Sequence, residues 1–175
     1  MGAMMTPQPT DEIKNHGLVA KVFHWGFIVV FAYALTKQLD NVGQLSDRDL
    51  LRFEVIFAIA FLALLGIRYA FMRATKPTAL PLSAPWLIRL LARAGHLAMY
   101  VSLALIAVSG LLIGALYSAG GPEAPGMAVA VGLHEVSVLA TYVSIAVHIA
   151  AAVFHRFKGD GIWSAMVPVW KEPKA

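Results

Sequence analysis

Two histidines on one apolar stretch are the residues of this chain best suited to chemistry. His134 and His148 lie fourteen residues apart within residues 127–154. Fourteen residues are close to four helical turns, so both rings point to the same side of a helix, about 21 Å apart along its axis. Imidazoles are costly inside hydrocarbon and are kept there mostly for a function. The pattern predicts two stacked haem positions, because a b-type haem takes its axial ligands from helices packed around it.

The composition indicates that a membrane surrounds these histidines. Hydrophobic residues make up 59% of the 175 residues and charged residues 14%, against about 25% charged in an average soluble domain. The mean hydropathy is +0.70. Four stretches, at about 20–38, 53–72, 88–117 and 127–157, are long and apolar enough to cross a bilayer. The predicted fold class is all-α, an integral membrane four-helix bundle, with residues 1–175 forming a single transmembrane domain.

Basic residues are distributed unevenly between the two sides of this bundle. With four spans, both termini and the loop between spans two and three share one side. That side holds eleven of the fourteen basic residues: Lys14, Lys21, Arg68, Arg73, Lys76, Arg89, Arg93, Arg156, Lys158, Lys171 and Lys174. The positive-inside rule therefore predicts that both termini are cytoplasmic. The net charge of +4 is explained by this topology, and no nucleic-acid partner is expected.

Segments outside the spans are short. Residues 1–21 lack the apolar core of a signal peptide, so the first span is expected to remain as an anchor. Three prolines in residues 75–85 predict a cytoplasmic loop. Residues 41–49 and 118–126 are expected to form the outer loops, and Trp163 and Trp170 of the tail are expected at the headgroup interface. The absence of cysteine excludes disulfides, c-type haem attachment and iron–sulfur clusters on this chain.

The histidines can be grouped by their expected depth in the membrane. Ligands of one metal must lie at a similar depth on different helices. His24 lies a turn or two into the first span, His96 about two turns into the third, and His148 about two turns from the end of the fourth. These three share one level on the cytoplasmic side. His134 is alone near the outer leaflet. His155 follows His148 by seven residues and is expected at the interface.

Other interpretations fit the same histidines. Each ring could hydrogen-bond a neighbouring helix and bind nothing. His24, His96 and His148 could also hold zinc or copper without a porphyrin, since imidazole suits both metals. A transported metal usually meets carboxylate or sulfur ligands as well, and Glu54 and Glu135, the acidic residues near the spans, are both on the outer side.

Several motifs resemble the prokaryotic cytochrome b561 family, in an order, spacing and topology that agree over residues 15 to 170. They are His24-Trp25 at the start of the first span, the run Ala-Arg-Ala-Gly-His-Leu at 92–97, Leu133-His134-Glu135, and His148 with His155. The resemblance implies a four-helix, di-haem, multi-pass protein of the bacterial inner (cytoplasmic) membrane. It also implies a relation to the cytochrome subunits of hydrogenases and formate dehydrogenases. One branch of the family passes electrons from superoxide to ubiquinone.

The resemblance also implies a set of ligands. His24 and His148 would bind the iron of a cytoplasmic-side haem b, with His96 competing for a place at the same site. His134 would bind the iron of a second, outer haem. The family's other outer ligand is a histidine fourteen residues before an arginine like Arg68, and this chain has Glu54 there.

Glu54 therefore leaves the haem count open at one or two. A glutamate at this position would either ligate iron weakly, pair with Arg52, or belong to a site without haem. With one haem, electrons could not cross the bilayer within this chain, and function would be confined to one leaflet or would depend on a partner's cofactor.

A quinone is the expected substrate near the cytoplasmic haem. Reduction of a quinone consumes two protons, which His96 or His155 could supply because imidazole titrates near neutral pH. Three arginines lie near the same leaflet and could bind the quinone, neutralise haem propionates or anchor helices: Arg68, Arg93 and Arg156. Trp25 would form a wall of the pocket or act as an interfacial aromatic residue.

The expected function is that of a membrane b-type cytochrome transferring electrons between a donor and the quinone pool, as an oxidoreductase or an electron-transfer subunit. Superoxide is the donor that the resemblance implies. Lys37, Arg48 and Arg52 offer it a modest attraction on the outer side, nearly balanced by acidic residues. The alternative is an accessory subunit, haem-bearing or purely structural, docked on a larger respiratory or photosynthetic complex. Membrane lipid is the remaining expected partner.

Overall fold

The computed structural model describes residues 17–75 and 84–172, which are almost entirely helical and contain no strand. Five α-helices follow one another, and their bounds are α1 Leu18–Leu35, α2 Arg48–Thr75, α3 Trp86–Gly120, α4 Met127–Lys158 and α5 Ile162–Met166. The first four are long and apolar enough to cross a membrane. The prediction of an all-α, four-helix membrane protein is thus confirmed. His16 and most of the predicted 75–85 loop lie outside the described residues.

The helices begin and end up to five residues away from the bounds of the predicted spans, and the largest difference has its cause in a polar side chain that binds the backbone. Helix α2 begins at Arg48, five residues before the predicted span. The carboxylate of Asp47 accepts hydrogen bonds from the backbone N–H of Asp49 at 2.9 Å and of Leu50 at 3.2 Å, which satisfies amides that a helix start leaves unpaired. Helix α1 ends at Leu35, three residues before the predicted end, and a 3-10 helix at 42–46 occupies part of the predicted outer loop.

Helices α3 and α4 form the closest pair, and small hydroxyl residues line their contact. Ser109 and Thr141 are fully buried and Ser137 nearly so. Each hydroxyl donates to a carbonyl of its own helix, as from Thr141 to Ser137 at 2.9 Å and from Ser137 to Leu133 at 2.7 Å. Small side chains let two helices approach closely in a membrane, and these internal hydrogen bonds satisfy their polar atoms.

A second buried cluster joins α1, α2 and α3. It consists of Phe27, Phe61, Leu65, Leu103 and Ala107. The rings of Phe27 and Phe61 lie 5.1 Å apart. Phe27 is three residues after His24 on α1, so this cluster fixes the helix turn that carries that histidine.

The segment after α4 folds into a compact unit that the sequence did not predict. Gly159 and Gly161 adopt left-handed backbone conformations, with φ of 70° and 82°, which glycine adopts without steric cost. The chain reverses at these glycines and forms α5. Ser164 and Glu172 then close the segment, since the Glu172 carboxylate accepts from the Ser164 N–H and the Glu172 N–H donates to the Ser164 hydroxyl. Residues 160–172 are called the C-terminal cap below.

Candidate functional site

Three histidines from three helices meet at one end of the bundle. The ring centres of His24 on α1 and His148 on α4 are 6.4 Å apart, and those of His96 on α3 and His148 are 5.3 Å apart. His24 and His148 are half-buried, whereas His96 is exposed. We call these three residues the histidine cluster.

Arg68 reaches the same cluster from α2, the second spanning helix. Its Nη2 lies 3.1 Å from Nδ1 of His24. The guanidinium also lies over the rings of Phe27, at 5.2 Å, and Tyr100, at 5.9 Å. Such stacking stabilises a cation in apolar surroundings. The Tyr100 hydroxyl is buried and has no hydrogen-bond partner among the described residues.

The His96 imidazole is held by its own helix. Its Nδ1 lies 2.6 Å from the backbone oxygen of Ala92. Because a carbonyl only accepts, Nδ1 carries the proton, and in the neutral ring Nε2 keeps its lone pair.

The separation of His24 and His148 fits a metal held between two imidazoles. With about 2.0–2.1 Å from metal to each nitrogen and about 1.2 Å from nitrogen to ring centre, opposed rings lie about 6.5 Å apart. The observed 6.4 Å matches this distance, while the 5.3 Å between His96 and His148 is shorter. No group of three His, Cys, Asp or Glu side chains in residues 17–75 and 84–172 is arranged to hold a bare metal ion. Two imidazoles from different helices are a donor set that haem proteins use.

The C-terminal cap is attached to the helices that carry the cluster. The indole of Trp25 donates to the backbone oxygen of Met166 at 3.2 Å. Arg156 donates through Nε to the backbone oxygen of Trp170 at 2.8 Å, and its guanidinium lies 4.5 Å from the centre of that ring. Trp25 and Arg156, two of the sequence candidates, thus bind the cap.

His155 forms an ion pair at the start of the cap. Its Nδ1 lies 2.7 Å from Oδ2 of Asp160, and Nζ of Lys158 lies 3.2 Å from the same oxygen. Burial by itself raises the pKa of Asp160, but the hydrogen bonds from His155 and Lys158 outweigh it and hold that pKa below the ordinary value. Arg93, the last cytoplasmic candidate, is exposed on α3.

His134 lies apart from the cluster, toward the other end of α4. Its Nδ1 is 3.0 Å from the hydroxyl of Ser109 on α3. A Cβ built on Gly110 would lie 3.6 Å from Cε1 of the same ring, so α3 passes directly over the imidazole. This contact joins α3 to α4 and keeps the His134 ring at their interface.

Glu54 presents a buried carboxylate oxygen near the N-terminal end of α2. Its Oε1 has no hydrogen-bond partner in the described part of the chain. The ion pairs found within residues 17–75 and 84–172 both involve Asp160, so the pairing of Glu54 with Arg52 that the sequence allowed is not formed. Arg52 is exposed. A buried carboxylate without a partner is costly and is a mark of a functional position.

Sequence reasoning missed four residues that shape these sites: Tyr100, Ser109, Asp160 and Met166. Ser109 directly precedes Gly110 and gave no local signal of its contact with His134 on α4. Asp160 had such a signal, because it is the one acid in a basic stretch after His155. Met166 acts through its backbone oxygen, which no side-chain pattern reveals.

Comparison with known proteins agrees with this arrangement of helices and histidines. The family model for prokaryotic cytochrome b561 matches residues 15–169. No curated protein and no solved structure matches the chain. The match covers all four spanning helices and all the candidate residues described above. The chain therefore belongs to the prokaryotic cytochrome b561 family, and it is a multi-pass membrane cytochrome that binds haem b and takes part in electron transfer.

Proposed function

We propose that His24 and His148 are the axial ligands of a haem b through which this protein passes electrons to or from the quinone pool. The observation that carries the proposal is the separation of 6.4 Å between the two rings, which come from the first and last spanning helices. When bound, the haem cycles between ferric and ferrous iron and so carries one electron at a time. The chain supplies ligands, orientation and electrostatics.

The proposed position of the cluster is the cytoplasmic side of the bacterial inner membrane, with both termini in the cytoplasm. The basic residues near the cluster support this orientation through the positive-inside rule. Arg68 and Arg156 lie at this end. His96 and the His155–Asp160 pair are the groups that could take protons from the cytoplasm for a quinone. Superoxide, arriving from the outer side, is the proposed donor.

In this proposal, the number of haems depends on whether Glu54 is a ligand. One haem b lies at the histidine cluster. A second forms at His134 only if Glu54 supplies the opposite ligand, and its unpartnered buried Oε1 supports that role. A pyridine haemochrome assay on the purified chain distinguishes one haem per chain from two.

Chemical rescue tests the ligand assignment. We expect His148→Gly to lose the low-spin b-type spectrum and to regain it when imidazole is added, because free imidazole can enter the space that the side chain leaves. Ile149→Ala, at an exposed neighbouring position, serves as the control and keeps the spectrum. An unchanged spectrum in His148→Gly without imidazole would reject His148 as a ligand.

Electron transfer is tested on the same preparation. Superoxide generated in the presence of a short-chain ubiquinone is expected to reduce the quinone at a rate that depends on the haem. Stable copurification with a larger redox complex, together with an inactive isolated chain, would instead establish the accessory-subunit alternative.

A further inference from the structure

We propose that Arg68 and the haem iron require opposite tautomers of the neutral His24 ring, Arg68 the lone pair on Nδ1 and iron the lone pair on Nε2, so that Arg68 must leave His24 when haem is loaded. The inference rests on the proposed function, in which His24 is an axial ligand. It concerns the tautomer in which this chain holds His24 before haem binds.

The first step is the direction of the hydrogen bond between Arg68 and His24. Arginine stays protonated in proteins and has only donors. The His24 Nδ1, 3.1 Å from the guanidinium Nη2, is therefore the acceptor. A neutral imidazole has one lone-pair nitrogen and one N–H, so the proton of His24 is on Nε2. In this tautomer Nε2 has no lone pair for iron.

The second step is a contrast with His96. A metal-bound imidazole ordinarily donates its second N–H to a carbonyl or carboxylate, which fixes the lone pair on the ligating nitrogen. His96 has this arrangement, since its Nδ1 donates to the backbone oxygen of Ala92. His24 has the opposite arrangement, with a donor where a ligand normally meets an acceptor. Arg68 thus holds His24 in the tautomer that does not bind metal at Nε2.

The third step is that the Tyr100 hydroxyl can serve as an alternative acceptor for the Arg68 hydrogen bond. The guanidinium lies 5.2 Å from the ring centre of Phe27 and 5.9 Å from that of Tyr100. The Tyr100 hydroxyl is buried and lacks a partner within the described residues, which is a costly state for a polar atom. An Arg68 N–H that leaves His24 can donate to this oxygen while the cation keeps its contact with both rings. The two arrangements have the same number of Arg68 hydrogen bonds and differ only in the acceptor, which is His24 in one and the Tyr100 hydroxyl in the other.

Haem binding changes neither the number of protons on His24 nor its charge. The Arg68–His24 hydrogen bond breaks, His24 loses the proton at Nε2 and gains one at Nδ1, and the Nε2 lone pair forms the bond to iron. The imidazole stays neutral and no electron is transferred. Arg68 is therefore a positioning residue for the axial ligand.

Nitrogen NMR tests the tautomer directly. The haem-free protein is labelled with 15N-histidine, and a His24→Gln variant assigns the His24 signals. We expect an unprotonated Nδ1 for His24 and a protonated Nδ1 for His96. After loading and reduction to diamagnetic low-spin iron, the His24 Nδ1 is expected to carry a proton. A protonated His24 Nδ1 already present in the haem-free protein would overturn the proposal.

Haem association kinetics test the competition. We expect Arg68→Met to bind haemin about tenfold faster than the unchanged chain, because a hydrogen bond from a charged donor no longer has to break. Tyr100→Phe is expected to slow association, since it removes the alternative acceptor. Arg73→Met, an exposed arginine on the same helix, is the matched control. An unchanged or slower rate in Arg68→Met would contradict the proposal.

These outcomes separate the inference from the proposed function. If His24→Gln retains the full bis-imidazole spectrum, His24 is not a ligand and the proposed function is wrong in that part. If His24→Gln loses that spectrum while Arg68→Met binds haemin no faster, the ligand assignment stands and the competition is rejected.

Discussion

The indole nitrogen of Trp25 donates a hydrogen bond of 3.2 Å to the backbone oxygen of Met166, which lies 141 residues later in the chain. Trp25 is the neighbour of His24, and Met166 closes helix α5 of the C-terminal cap. The first spanning helix is thereby tied to the segment that follows the last one. This contact joins the two helices that carry His24 and His148 at the end of the bundle where those rings meet.

Trp25→Phe is expected to loosen this connection while it preserves most of the ring. Loss of one hydrogen bond costs about 1 kcal/mol, and we expect faster amide exchange in α5 and faster transfer of haem to an acceptor protein. Trp163→Phe is the matched control, because the Trp163 indole donates to Val169 within the cap itself. Haem transfer that is equally fast in both variants would show that the Trp25 contact does not position the site.

Two glycines of α3 are expected to respond differently to alanine. A Cβ on Gly114 would lie 3.1 Å from Cγ2 of Val55, whereas a Cβ on Gly110 would lie 3.6 Å from the His134 ring, which is ordinary contact. Valine is stiff in a helix, so Gly114→Ala must push α2 away from α3. We expect Gly114→Ala to be less stable than Gly110→Ala by about 1 kcal/mol, measured by thermal unfolding in detergent. The reverse order would contradict the packing of α2 against α3.

Acid is expected to weaken the attachment of the cap. The pKa of Asp160 is held below its ordinary value of 3.8 by His155 and Lys158, despite the opposing effect of burial. A depressed pKa means that the ionised carboxylate stabilises the fold above its ordinary pKa, and that this contribution is lost as the pH falls through the folded value. Asp160→Asn should lower the thermal midpoint near pH 7, and its difference from the unchanged chain should shrink as the pH falls below the ordinary value of 3.8. An equal effect near pH 7 and below that value would exclude an ionic role.

Glu54→His is expected to build the outer ligand pair with His134. If the helices keep their positions, the variant gains low-spin bis-imidazole character and a haem count of two per chain in the haemochrome assay. Glu123→His, at an exposed position between α3 and α4, controls for the mere addition of a histidine. A variant with no gain in bis-imidazole signal would show that residue 54 does not face a haem at His134.

Local patterns in the sequence were sufficient to predict the four spanning helices. Apolar runs longer than about 20 residues give spans because backbone groups in hydrocarbon must be paired within one segment. The predictions from these patterns were wrong at the ends of the helices. Asp47 lets α2 begin at Arg48, before the predicted span. Gly159 and Gly161 let the chain after α4 turn and form the C-terminal cap. Both effects depend on hydrogen bonds or dihedral angles of single residues, which average hydropathy does not register.

Within the candidate site, the sequence determined which residues share a depth, since depth follows from the rise per residue along a helix. The grouping of His24, His96 and His148 at one level is of this kind. The tertiary structure alone decided which of these rings lie close together, that Arg68 contacts His24, and that the Tyr100 hydroxyl has no hydrogen-bond partner within residues 17–75 and 84–172. Those relations depend on the rotation of each helix about its axis and on the distance between helices. Both are set by side-chain packing between segments far apart in the chain.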